Sequence, residues 1–215
     1  MQQLSLETIA KRLFELVCCG QEDLELCNQI VSRVIAGKPI IPATLSSSLQ
    51  MNQHQLLQRL ARLSDVEVDH KGQILGWGFT LVPTPHQIQI RGKQLFAWCA
   101  FDTIQFPPAL HVEAQVQSTC SETSCPIRFV VTSEGEVRDL TPAQAQMSLL
   151  LPDHGSSIRS TTSVRTTFCQ QSLFFQSEQA ASTFLATHPT ALLLSLEEAA
   201  TLGRLIAQRC LQTPR

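Results

Sequence analysis

The chain has 215 residues with a formal net charge of -2, and 43% of its residues are hydrophobic against 16% charged. That composition supports one sizeable packed domain or two small ones and excludes long disorder. The small net charge argues against a general electrostatic grip on nucleic acid, and no apolar run is long enough to span a bilayer.

MQQLSLETIAKRL, at the start, lacks the charged beginning and unbroken apolar stretch of a secretory signal. The expected compartment is the cytoplasm, where thiols stay reduced. The cysteines are Cys18, Cys19, Cys27, Cys99, Cys120, Cys125, Cys169 and Cys210. In that compartment each is a buried apolar residue, a metal ligand or a nucleophile before it is half of a disulfide.

SLETIAKRLFELVCCG reads as a helix with Ser5 as N-cap and Gly20 at its end, leaving Cys18 and Cys19 as packing residues. EDLELCNQIVSRVIAG gives a second helix whose apolar stripe includes Cys27. Pro42 suits a first helical turn, so ATLSSSL makes a short helix, and QHQLLQRLARL makes a longer one with Leu56, Leu57, Leu60 and Leu63 inward. VEVDHKGQILGWGFTL is a hairpin around His70-Lys71-Gly72. This order matches a winged helix-turn-helix. The face of its would-be recognition helix carries Gln53, His54, Gln58, Arg59 and Arg62. Two arginines are a thin footprint for a phosphate backbone.

VPTPHQ looks like a joint, dividing residues 1–82 from residues 83–215. IQIRGKQLFAWCAFDT predicts a short strand, a turn at Arg91-Gly92-Lys93, then a helix. HVEAQVQSTC alternates as a half-buried strand does, and PIRFVVTSEGEVRDL gives two strands around Gly135. Cys169 follows a loop rich in Ser and Thr, in a strand or turn. SEQAASTFLATHP is a helix begun by Ser177, and ALLLSLEEAATLGRLIAQRC is a buried strand followed by a last helix with Cys210 on its apolar face. Strands and helices do not alternate strictly, so the expected fold class is α+β.

Cys99 and Asp102 stand at i and i+3, which on a helix puts both on one face. One reading is a buried cysteine beside a surface aspartate. Against it, Ala100, Phe101, Ile104 and Phe106 surround the acid. Burial raises a carboxyl's pKa and leaves it able to give a proton near neutral pH. Cys120 and Cys125, with four residues between them, make a loose half of a zinc site with no second close pair; Cys120 reads as a core thiol and Cys125 as exposed. The six histidines fall mostly in turns or exposed positions, which gives a cysteine–histidine hydrolase little support.

GWGFTL, FAWCAFDTIQFP, the strand ending in STC, and TTFCQQSLFF together resemble the organomercurial lyases, also called alkylmercury lyases, in order and approximate spacing. The resemblance covers nearly the whole chain. It implies an N-terminal winged-helix-like helical module, residues 1–82, packed on a catalytic α+β part of antiparallel sheets and helices, residues 83–215. It implies cleavage of carbon–mercury bonds to a hydrocarbon and Hg(II) by Cys99, Cys169 and Asp102. The same three residues would hold the substrate and product mercury, and Cys120 would be structural. No cofactor is implied. The implied partners are the organomercurial and the low-molecular-weight thiols, or a mercury-accepting reductase, that remove Hg(II), with no membrane or nucleic acid. Two departures stand out: Phe96 where a tyrosine is expected, and Gln170 where some members carry another cysteine. The competing readings are a winged-helix regulator sensing a thiophilic metal through Cys99, Cys120 and Cys169, and an inactive metal-binding relative.

Overall fold

The computed structural model describes residues 4–17, 23–63, 65–151 and 164–210. Helix α1 (Leu6–Val17) starts at Ser5, whose Oγ accepts the Thr8 N–H at 3.3 Å, and buries Ile9, Ala10 and Leu13. The stop expected at Gly20 and the packing expected of Cys18 and Cys19 lie outside the described residues. Helix α2 (Leu24–Val34) buries Cys27 with Leu26, Ile30, Val31 and Val34, as its apolar stripe predicts. Helix α3 (Pro42–Ser48) carries its proline in the first turn, and α4 (Gln53–Arg62) begins in a capping box between Asn52 and Gln55. Leu56 and Leu63 face inward, but Leu57 is 51% exposed. It follows Leu56 by one residue, about 100° around the helix, so both cannot share a narrow buried stripe.

The hairpin of β1 (Glu67–Val68) and β2 (Ile74–Trp77) turns where Asp69 Oδ1 accepts the N–H groups of Lys71 and Gln73, each at 2.8 Å. It continues into β3 (Phe79–Thr80), β4 (His86–Ile90), β5 (Lys93–Ala97), β6 (Ala114–Thr119), β7 (Pro126–Val131) and β8 (Val137–Thr141). These strands form one antiparallel sheet in the order β1-β2-β3-β5-β4-β6-β7-β8. Because β3 pairs with β5, the sheet runs across residue 82 without a break. A second antiparallel sheet, in the order β10-β9-β11, joins β9 (Gln146–Leu150), β10 (Phe174–Phe175) and β11 (Ala191–Ser195). Helices α5 (Asp102–Ala109), α6 (Val164–Thr167), α7 (Glu178–Thr187) and α8 (Leu196–Cys210) complete an α+β fold, with α8 packed on α5 and α1. No helix among the described residues is long and apolar enough to cross a membrane.

Three details differ from the sequence expectation or add to it. The stretch expected to enter a helix after Arg91-Gly92-Lys93 forms β5 instead, and the helix begins only at Asp102. Arg91 and Gly92 both have positive φ, 50° and 74°, the mirror-image turn that folds a chain straight back into a hairpin. His86 is buried in β4, against the expectation of exposed histidines; its Nδ1 lies 2.8 Å from Ser118 Oγ, and burial lowers its pKa to about 4. The alternation in HQIQI and AQVQST turns Gln87, Gln89, Gln115 and Gln117 outward.

Candidate active site

Strand β5 ends at Ala97, whose carbonyl accepts the Thr84 hydroxyl at 2.6 Å. Trp98 then donates its N–H to the Gly78 carbonyl at 2.9 Å. Gly78 has φ +73°, and the Phe106 ring fills the space a Cβ would need there. The GWGF stretch is thus clamped against the chain entering α5.

Cys99 sits in the bend just before α5, and Asp102 is the first residue of the helix. Asp102 Oδ2 accepts both the Cys99 N–H and the Cys99 thiol at 3.2 Å, reaching back three residues from the first position of the helix. The i, i+3 meeting expected of a helix face therefore occurs, by a helix-entry turn. The other oxygen, Oδ1, accepts the Gln105 amide at 3.1 Å.

Cys169 begins a 3-10 turn, Cys169–Gln171, directly after α6. Ser172 ties that turn to the Cys99 segment: its carbonyl accepts the Ala100 N–H and its Oγ the Phe101 N–H, both at 3.1 Å. Ser148 of β9 anchors it from behind, donating to the Gln171 carbonyl at 2.7 Å and accepting the Leu173 N–H at 3.1 Å. Phe168 meets Phe101 edge to face, with centroids 6.1 Å apart. As a result, one ligand atom from each of Cys99, Asp102 and Cys169 lies within 4.8 Å of the other two, and all three residues are buried. Among the described residues this is the one cluster of three or more His, Cys, Asp or Glu able to hold a metal ion. Two thiols and a carboxylate form a donor set suited to a soft thiophilic ion.

The electrostatics follow from burial. Desolvation pushes the Asp102 carboxyl up to about 6, with the hydrogen bonds from Cys99 and Gln105 and the charge of Arg165 restraining the rise. Desolvation also drives the Cys99 thiol well above its usual value, helped by its hydrogen bond to Cys169 and the Asp102 charge. For Cys169 the Cys99 hydrogen bond pulls downward, but burial and the charges of Asp102 and Asp65 still leave its pKa raised. Of the two thiols, Cys169 is the more accessible, 7% exposed against 0% for Cys99.

Arg165, one helical turn before Cys169, was not singled out by the sequence. Its guanidinium stacks 4.8 Å over the Trp98 ring and pairs with Glu67 at 3.3 Å, while its N–H donates to Asp65 at 3.1 Å. Glu67 also accepts the Trp98 indole N–H at 3.1 Å. Gln105 was missed as well. The available signals were an arginine at i-4 from Cys169 and an amide at i+3 from Asp102.

The other thiols fall elsewhere. Cys120 and Cys125 close the turn between β6 and β7, where the Cys120 N–H donates to the Cys125 carbonyl at 2.8 Å. Cys120 is buried and Cys125 exposed, as expected. Burial alone would raise the Cys120 thiol. Hydrogen bonds from the Thr123 hydroxyl and from the backbone of Gln176, Thr123 and Glu122 outweigh it and leave the pKa lowered. On the would-be recognition helix, Arg59 and Arg62 reach Asp23 at 2.7 and 3.5 Å, which spends part of an already thin cationic footprint.

The family profile described as alkylmercury lyase matches residues 79–208. A curated alkylmercury lyase of Bacillus cereus is 35% identical over 191 residues, covering 88% of this chain and 84% of that protein. The alkylmercury lyase of Pseudomonas putida is 32% identical over 206 residues, 94% of each chain. In fold, the chain is similar to the crystal structure of the mercury-bound form of MerB2, with a TM-score of 0.75 and 22% identity over 95% of this chain and 98% of that one. The chain belongs to the alkylmercury lyase family.

Proposed function

We infer that the chain is an organomercurial lyase that cleaves carbon–mercury bonds by protonolysis, with Cys99, Cys169 and Asp102 as the reacting groups. One observation carries the assignment of residues: two sulfurs and a carboxylate oxygen lie within 4.8 Å of one another, and all three residues are buried. Family membership supplies the reaction class.

Mercury in R–Hg(II) is soft and takes thiolates in preference to other protein ligands. Cys169, the more exposed thiol, binds the metal first, displacing whatever thiolate brought it in. Asp102 Oδ2, in contact with the Cys99 thiol, accepts its proton, and the Cys99 thiolate becomes the second sulfur on mercury. Each sulfur adds electron density to the metal and makes the carbon more negative. Asp102 then returns its proton to that carbon. The carbon keeps the bonding pair, hydrocarbon leaves, and Hg(II) stays between two sulfurs with no change of oxidation state. Of the two thiol protons, one ends in the hydrocarbon and one on the displaced thiolate or in solvent. A carboxyl with a pKa of about 6 can both take and give a proton near neutrality. Burial by Trp98, Phe101 and Phe168 limits water at the carbon.

Release of Hg(II) requires competing ligands, and low-molecular-weight thiols or a mercury-accepting reductase fill that role in a reducing compartment. The N-terminal residues 1–82 serve as a winged-helix-like architectural module, supported by the Ile40–Ile74 bridge onto the hairpin and by Asp65 and Glu67, which hold Arg165 and Trp98 beside the thiols. The test is to incubate purified protein with phenylmercury and excess thiol in deuterated water. Benzene carrying one deuterium is the expected product; no benzene, or benzene without deuterium, would sink the protonolysis reading.

A further inference from the structure

We propose that Gln105 is a positioning residue for the protonolysis: its amide holds Oδ1 of Asp102 so that Oδ2 is the oxygen presented to the Cys99 thiol. The inference rests on the function proposed above and adds a residue to it.

The two oxygens of Asp102 have separate partners. Oδ2 takes the Cys99 N–H and thiol, each at 3.2 Å, and Oδ1 takes the Gln105 Nε2 at 3.1 Å. Gln105 is only 7% exposed and lies in an apolar helix, DTIQFPPA, among Ile104, Pro107 and Pro108. An amide buried there is costly unless its donor is used, and the Asp102 carboxylate is the acceptor it reaches. The terminal torsion of an aspartate is broad, so backbone geometry alone does not fix the plane of the carboxyl. Nor does α5 hold itself firmly: Pro107 and Pro108 each lack the N–H that would bond back to the preceding turn. The carboxyl plane is therefore set by side-chain contacts, with the Cys99 segment on one oxygen and Gln105 on the other. A proton carrier that must face first a thiol and then a carbon in the same pocket gains from a fixed plane, since a misplacement of about 1 Å at a reacting group costs on the order of 100-fold in rate.

Gln105→Met keeps the length and volume of the side chain and removes the donor. The experiment follows phenylmercury in single and multiple turnover, together with the infrared C=O stretch of protonated Asp102, assigned by difference against Asp102→Asn. Expected are unchanged mercury capture per chain, KM within about twofold, benzene release slowed roughly 10- to 100-fold, and a C=O stretch moved to higher frequency. Gln105→Asn, whose amide is drawn back by one methylene, gives the same pattern and replaces the methionine variant if that one does not fold. Wild-type rates in both variants, or a parallel loss of mercury capture and benzene release, would overturn the positioning role. Absence of benzene from the wild type would instead overturn the lyase reading, and with it this inference; the infrared shift would then report a contact without a catalytic consequence.

Discussion

Two pairs of cysteines in this molecule invert what their spacing suggests. Cys120 and Cys125 are close in sequence, share a backbone hydrogen bond at one hairpin end, and among the described residues belong to no cluster of three metal-ligating groups. Cys99 and Cys169 are far apart in sequence and meet a carboxylate in a buried cluster. Their environments differ in sign. At the hairpin end, burial raises the Cys120 thiol, but hydrogen bonds from the Thr123 hydroxyl and from the backbone of Gln176, Thr123 and Glu122 outweigh it and leave the pKa lowered. In the pocket, burial and a neighbouring carboxylate raise both thiols. We propose that Cys120 is structural, since its sulfur finds hydrogen-bond partners in its own turn and at Gln176. The pocket leaves its sulfurs with each other and with Asp102, so proton transfer between neighbours accompanies any ionisation.

The largest effect that would break this contrast is on turnover. Cys99→Ser and Cys169→Ser should each lower benzene release by at least roughly 1,000-fold, since the two sulfurs act as a unit. Cys125→Ser should leave the rate within about twofold in the same assay. Full turnover by Cys169→Ser would dissolve the distinction between the pairs.

The next effect concerns stability and pH. Asp102 carries a pKa raised from 3.8 to about 6 by burial, so between those values the folded protein binds more protons than the unfolded chain. Stability from this group is complete below pH 3.8 and is lost as pH rises through about 6. The interval corresponds to about 3 kcal/mol. Asp102→Asn does not titrate there. Denaturant titrations at pH 4 and pH 7.5 should therefore show the stability difference between variant and wild type moving toward the variant by about 2–3 kcal/mol, while benzene release falls about 100- to 10,000-fold. A difference that does not change with pH would mean Asp102 titrates as an ordinary surface acid.

The smallest effect sharpens the structural side. Cys120→Ala strips the turn amides of their acceptor and should cost about 1–2 kcal/mol, against less than about 0.5 kcal/mol for the exposed Cys125→Ser. Equal losses at the two positions would remove the structural assignment of Cys120.

Much of this was legible from local pattern. The capping residues Ser5 and Ser177, the alternation in β6, and the apolar stripe holding Cys27 predicted their elements because each depends on neighbours a few residues away. The β5 strand was read as helix because its pairing partners, β3 and β4, decide its conformation more strongly than its own residues do. The Asp102 environment was legible for the same local reason as the caps: apolar neighbours on both sides announce a buried acid.

By itself, the sequence determined the residue types, the short-range pairing of Cys99 with Asp102, and, through its resemblance to a family, the chemistry to look for. Only the tertiary structure decided that Cys169 closes on them. That meeting depends on Ser172 and Ser148 stitching a 3-10 turn to the entry of α5, and on Arg165 bridging to Asp65, Glu67 and Trp98. Such contacts join segments distant along the chain. Their energy comes from burial and hydrogen bonds that exist only once both sheets are assembled, so no local periodicity records them.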